Sequence, residues 1–203
     1  TLWTKDYVFV GSKTDGLTAL GGTITREFLT TKFEINGAAN TDVYLTTGTL
    51  GTTIDGGIIA WADGDFEFSC HCEYSDTTDQ DSYLGLFDGT PPQNSTSVAM
   101  HIGFYLEDGT MYASNANGTT QTKTDISGSI TITNMNSYRF VYDTGVNILF
   151  YVNDILVATH TTNLPTAASG NEPRLLFLLN GATSGTANMT IKNNYLVTLD
   201  IWD

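Results

Sequence analysis

Basic side chains are scarce. Lys and Arg together number 8 in 203 residues against 22 Asp and Glu, giving a formal net charge of -14. A surface of that sign repels nucleic-acid phosphates and acidic lipid headgroups, so neither nucleic acid nor membrane is an expected partner. Long apolar runs are also missing: the densest, Leu175 to Leu179, falls far short of the roughly 20 residues that span a bilayer as a helix. Cysteine is reduced to Cys70 and Cys72. Two apart in the strand-like run FEFSCHCEY, they point to one face with Cβ atoms roughly 6.5 to 7 Å apart. A disulfide needs a closer approach, so two reduced, buried thiols are expected. No G-x-S-x-G elbow, P-loop or dinucleotide glycine pattern occurs, and no stretch keeps a helical period. Thr1 follows no charged and apolar leader, which leaves a removed secretory signal or a removed initiator Met as two routes to this N-terminus.

Turn signals are abundant instead. Asp15-Gly16, Asn36-Gly37, Asp55-Gly56, Asp63-Gly64, Asp88-Gly89, Asp108-Gly109, Asn117-Gly118 and Asn180-Gly181 separate short alternating or apolar runs, the pattern of an all-β chain. Strands are expected over 7–10, 28–33, 43–47, 58–61, 66–74, 83–87, 97–106, 111–114, 129–133 and 174–179, with an interrupted run over 188–202. The most informative segment is 138–165, YRFVYDTGVNILFYVNDILVATHTTNLP. Tyr138, Phe140 and Tyr142 alternate with Arg139, Val141 and Asp143, Thr144-Gly145 turns the chain, Val146 to Val152 returns it, and Asn153-Asp154 turns it again. Three antiparallel strands follow from that reading.

This wording resembles the laminin-G-like and concanavalin A-like jelly rolls, in which an aromatic strand, a FYVNG-type strand and a short LVAT strand run back to back. Asp154 stands where that family has Gly, and Asp tolerates the left-handed conformation such a turn requires. The expected fold is all-β: one two-sheet antiparallel jelly-roll sandwich over residues 1–203. Residues 1–24 serve either as an edge strand or as a docking segment for a neighbouring subunit, and in this fold the last strand lies near the first.

Several residues carry chemistry worth following. Along 65–74, Glu67, Ser69, His71 and Glu73 share the face opposite Phe66, Phe68, Cys70, Cys72 and Tyr74. The resemblance implies that Glu67, His71 and Glu73, joined by His101, Tyr105 and Arg139 on neighbouring strands, line the concave groove in which relatives bind sugars. A solvated outer sheet gives the same alternation. Trp3, Trp61, Tyr83, Tyr105 and Trp202 are candidates for stacking on sugar rings. Glucanases of this fold need Glu-x-Asp-x-x-Glu to set nucleophile and acid about 5 Å apart; the chain lacks that motif, so no enzymatic activity is expected. Cys70-His71-Cys72 is no zinc site, because His71 points away from both sulfurs. Calcium is the metal that the resemblance allows, and the loop DTTDQD offers Asp76, Asp79 and Asp81 as hard oxygen ligands. Three functions follow: a virion surface component packed on capsid or other virion proteins, either as single copies or as a homo-oligomer; a glycan-binding module of an extracellular protein; and a glycan-cleaving enzyme.

Overall fold

The structure is a computed structural model. It describes residues 5–7, 17–19, 22–26, 30–36, 42–46, 61–62, 65–75, 80–89, 91–92, 94–166, 173–181, 186–192 and 196–200, with side chains from residue 61 onward except at 181, 186–187 and 196–200. Sixteen strands lie among the described residues: β1 Lys5–Tyr7, β2 Leu17–Ala19, β3 Gly22–Arg26, β4 Thr30–Asn36, β5 Asp42–Thr46, β6 Asp65–Tyr74, β7 Gln80–Phe87 and β8 His101–Glu107. They continue with β9 Thr110–Ala116, β10 Gln121–Asp125, β11 Asn136–Asp143, β12 Asn147–Val152, β13 Ile155–His160, β14 Arg174–Gly181, β15 Thr186–Lys192 and β16 Leu196–Asp200. A single 3-10 turn, Ser127–Ser129, is the nearest thing to a helix among them, and no helix is long and apolar enough to cross a membrane.

The strands form two antiparallel sheets, the jelly-roll sandwich expected from the sequence. Sheet A runs β13-β12-β11-β6-β15-β4-β3, with β16 paired to β6 and to β1. Sheet B runs β10-β9-β8-β7-β14-β5-β2. At the hub of sheet A, β6 pairs along one edge with β11, from Phe66 opposite Tyr142 to Cys72 opposite Asn136. Its other edge is shared: β16 takes Asp65 to Ser69 and β15 takes Cys72 to Tyr74. β1 lies beyond β16, with Lys5 opposite Leu199.

Strict alternation along β6, β11 and β12 builds the core. Phe66, Tyr142 and Ile148 form one cross-strand row, and Phe68, Phe140 and Phe150 the next. Phe68 stacks on Phe140 at 5.2 Å and Phe66 on Tyr142 at 5.7 Å between centroids. From the facing sheet Phe104 meets Tyr138 and Phe150 edge-on at 5.1 and 5.5 Å, so aromatic contacts join the layers as well as the strands. The turn Asn153-Asp154 has φ of 51° and 63°, the left-handed pair that a two-residue hairpin demands. Cys70 and Cys72 are free and buried, and burial raises both thiol pKa values, keeping them protonated.

Two expected strands are corrected. The segment 97–100 is not part of β8, because the turn ahead of it is anchored by side chains: the backbone N–H of Ser95 donates to Glu107 at 3.2 Å, its hydroxyl donates to the same carboxylate, and Lys123 Nζ donates to Ser95 Oγ at 3.0 Å. The segment 129–133 turns instead of extending, since Asn136 Nδ2 donates to the carbonyls of Thr131 and Asn134 at 2.9 and 2.8 Å and gathers the chain around itself. In its place β10, QTKTD, closes sheet B; a polar edge strand gives no apolar alternation to read. Residues 58–60 lie outside the described ones.

One side of the sandwich is sewn shut by polar groups. His160, at the end of β13, donates from Nδ1 to Asn115 Oδ1 at 2.6 Å and accepts at Nε2 from Thr124 Oγ1 at 2.9 Å. Asn115 Nδ2 donates to the carbonyls of Thr162 and Asn163, so every polar atom of that amide is used and its orientation is fixed.

In sheet B, Gly85 and Gly103 face each other across β7 and β8. The Tyr83 hydroxyl crosses this pair to donate to the carbonyls of Leu86 and Ile102 at 2.7 and 2.9 Å. A Cβ on Gly103 would stand 2.3 Å from the Leu84 carbonyl oxygen and 2.7 Å from the Tyr83 hydroxyl. Gly103→Ala is therefore expected to destabilise the fold by about 1 to 3 kcal/mol, measured as a lowered urea midpoint; an unchanged midpoint would contradict this packing.

Candidate functional site

The six groove candidates do not share one surface. Glu67, His71 and Glu73 of β6 and Arg139 of β11 lie on the solvent-facing side of sheet A, all partly exposed. His101 and Tyr105 lie on sheet B, where they are buried, with 1% and 2% of their surface exposed. The reason is topological: β8 pairs with β7 and β9, not with β6 or β11, so its polar positions look away from sheet A. Among the stacking candidates, Trp61, Tyr83 and Tyr105 are buried too, while Trp3 and Trp202 fall outside the described residues. Asp76 and Asp79 of the proposed calcium loop also fall outside them. Asp81 is half-buried on β7, with its pKa raised to about 6 by burial and by repulsion from Glu107 and Asp108. Among the described residues no three His, Cys, Asp or Glu side chains converge on a point that could hold a metal.

Sheet A's outer face carries a construction that sequence reading reached only in part. Arg139 sits between Ser69 on β6 and Tyr151 on β12 in the cross-strand register. Its guanidinium lies over the Tyr151 ring at 4.0 Å from the centroid and is ion-paired to Glu67 at 3.7 Å. The next position along that register is Leu156 of β13, 51% exposed. Val141 and Leu149, partly exposed, form the adjacent cross-strand pair. On the other flank His71 pairs with Ser137. Burial and the nearby Lys192 hold its pKa below the usual histidine value, against the attraction of Asp154, and its buried Nδ1 has no partner among the described residues. The result is an apolar and aromatic strip bordered by a guanidinium, two carboxylates and an imidazole.

Tyr151 and Leu156 are not among the groove residues expected from the sequence, which are chosen chiefly for polar side chains. The signal was present: in NILFYV, Ile148, Phe150 and Val152 are buried, so Leu149 and Tyr151 must face out. His101 is explained without a ligand. Its Nδ1 donates to the Ala99 carbonyl at 2.6 Å, Ser114 Oγ donates to its Nε2 at 2.7 Å, and Gln121 Nε2 donates to Ser114 Oγ at 2.9 Å.

No protein-family model matches the sequence, and no curated protein matches it. Solved structures do match its fold. A chain from work on endo-acting O-glycanases, expressed by prominent human gut microbiota to initiate mucin breakdown, is 9% identical with a TM-score of 0.62, each chain covered over 100% of its length. A carbohydrate esterase from the Shiga toxin-encoding bacteriophage phi24B is 12% identical with a TM-score of 0.58, over 98% of this chain and 100% of that one. Botulinum neurotoxin type C, which enters cells in dependence on two ganglioside molecules, is 13% identical with a TM-score of 0.56 over 92% of this chain. This chain spans only 43% of the toxin chain's length. At such identities the likeness shows a shared sandwich fold and nothing finer.

The two buried histidines make the fold acid-sensitive. His101 and His160 are both lowered to about 4, chiefly by burial, so the unfolded chain takes up protons near pH 6.5 while the folded one does not. Stability is thus complete above about pH 6.5 and falls as the pH drops toward 4. For His101 the shift corresponds to a loss on the order of 3 kcal/mol. Asp81 works in the opposite sense over part of that window, but it is half-exposed and its effect is smaller. Urea midpoints at about pH 7.5 and about pH 4.5 check this; equal midpoints would contradict neutral, buried histidines.

Proposed function

We propose that this chain is a lectin-like β-sandwich that binds glycans through the outer face of sheet A, has no catalytic activity, and is displayed on a virion surface. The observation that carries the binding reading is Arg139 placed over the Tyr151 ring and ion-paired to Glu67. A sugar offers aliphatic C–H faces and a rim of hydroxyls. The strip of Val141, Leu149, Tyr151 and Leu156 meets the first, while Arg139, Glu67, Glu73 and His71 meet the second with donors and acceptors. The partners of that reading are a glycan and, through the remaining surface, capsid or other virion proteins, in single copies or as a homo-oligomer. The virion setting draws on the acidic, Gly- and Thr-rich composition and is in keeping with the phage esterase among the fold's relatives. An extracellular binding module is the alternative setting.

An enzymatic reading has one observation on its side. Asp81 carries a carboxyl raised to about 6 by burial and by repulsion from Glu107 and Asp108, a value suited to a general acid. Glu107, however, is tied to Ser95, and the glucanase motif is absent from β6.

A glycan array with wild type, Arg139→Ala and Tyr151→Ala tests the proposal. Binding to a defined set of glycans is expected, weakened about tenfold or more in each variant, since losing either a charged donor or a stacking ring costs on the order of 1.5 kcal/mol. Silence across bacterial and algal polysaccharides would overturn binding, and release of reducing ends from any of them would overturn the non-enzymatic reading.

A further inference from the structure

We infer that the ligand of sheet A's outer face is a neutral glycan, recognised through a pair of adjacent hydroxyls that bridges Arg139 and Glu67. This rests on the glycan-binding reading above and narrows it to a chemical class.

The two groups are close without satisfying each other. At 3.7 Å the contact is an ion pair beyond hydrogen-bonding distance. Among the described residues the guanidinium donates no hydrogen bond and the carboxylate accepts none. Both are within reach of solvent, the Arg139 side chain 28% and the Glu67 side chain 39% exposed. The contact with Tyr151, 4.0 Å from the guanidinium carbon to the ring centroid, restricts where the guanidinium can move, so its N–H donors are positioned before any ligand arrives. A fixed donor beside an open acceptor matches a neutral diol: one hydroxyl accepts from Arg139, its neighbour donates to Glu67, and the ion pair survives.

An acidic sugar is poorly served by the same arrangement. Its carboxylate or sulfate could take the Arg139 donors only by displacing Glu67 or by lying within a few Å of it, which weakens binding about fivefold even at the dielectric of water. Glu73 lies on the same face and the chain carries a net charge of -14, so the wider field adds to the repulsion. Lys192 opposes it only partly from beyond His71. His71 on the same face, with its pKa lowered, adds no positive charge that would favour an acidic sugar.

Affinity electrophoresis followed by calorimetry separates the cases. Galactomannan and mixed-linkage β-glucan serve as neutral probes, alginate and sialylated oligosaccharide as carboxylated ones, and dextran sulfate as the sulfated one. The wild type, Glu67→Gln and Arg139→Lys are compared, each with its thermal melt as a folding check. Neutral binding that drops about tenfold in Glu67→Gln, through loss of a charge-assisted acceptor, is the expected result. Binding confined to the acidic probes, or strengthened by Glu67→Gln, would overturn this inference while leaving glycan binding in place. Neutral binding unchanged in both folded variants would also overturn it, by placing the site elsewhere. Silence from every probe would overturn the glycan reading itself.

Discussion

Strand β6 is bonded along both edges, so each of its side chains must commit to a layer. Phe66, Phe68, Cys70, Cys72 and Tyr74 point into the sandwich, and Asp65, Glu67, Ser69, His71 and Glu73 point out of it. A slip of one residue would exchange the two sets, driving charged groups into the core and aromatic rings into water. With about 1.5 to 3 kcal/mol at stake for each large side chain, the error would cost on the order of the whole stability of a domain. The neighbours β11 and β12 inherit this register through their pairing, and with it the position of every group on the outer face.

The candidate site is therefore a by-product of core formation as much as a feature beside it. Burying Phe140 and Phe150 as one cross-strand pair forces Arg139 and Tyr151 outward as the next. Neither the ion pair nor the stack is needed for stability: exposed salt bridges contribute about 0 to 1 kcal/mol, and exposed cation–π contacts about 0.5 to 1. What the contact supplies is position, because a long arginine side chain that would otherwise wander is held over the Tyr151 ring.

How much of this could be read in the sequence depended on whether the information was local. The hairpins at Thr144-Gly145 and Asn153-Asp154 were legible because alternation and turn chemistry sit in adjacent residues, and the same holds for the two faces of β6. Where structure and sequence expectation differ, the cause is non-local. His101 and Tyr105 alternate as a sugar-binding strand would, yet strand order decides which sheet receives them, and no short stretch of β8 encodes its pairing with β7 and β9. The turn at 129–133 has the alternation of a strand in Ile130 and Ile132, while the Asn136 amide that gathers it lies outside that window. β10 was invisible because an edge strand made of Gln, Thr, Lys and Asp has no apolar period.

Hydroxyl-radical footprinting in the presence of excess galactomannan tests most directly whether the outer face of sheet A is the binding surface. Protection is expected to concentrate on 65–75 and 136–157, strongest at Tyr151 and Leu156, with 101–116 of sheet B unchanged. Protection on sheet B with sheet A left as reactive as in the free protein would contradict the account.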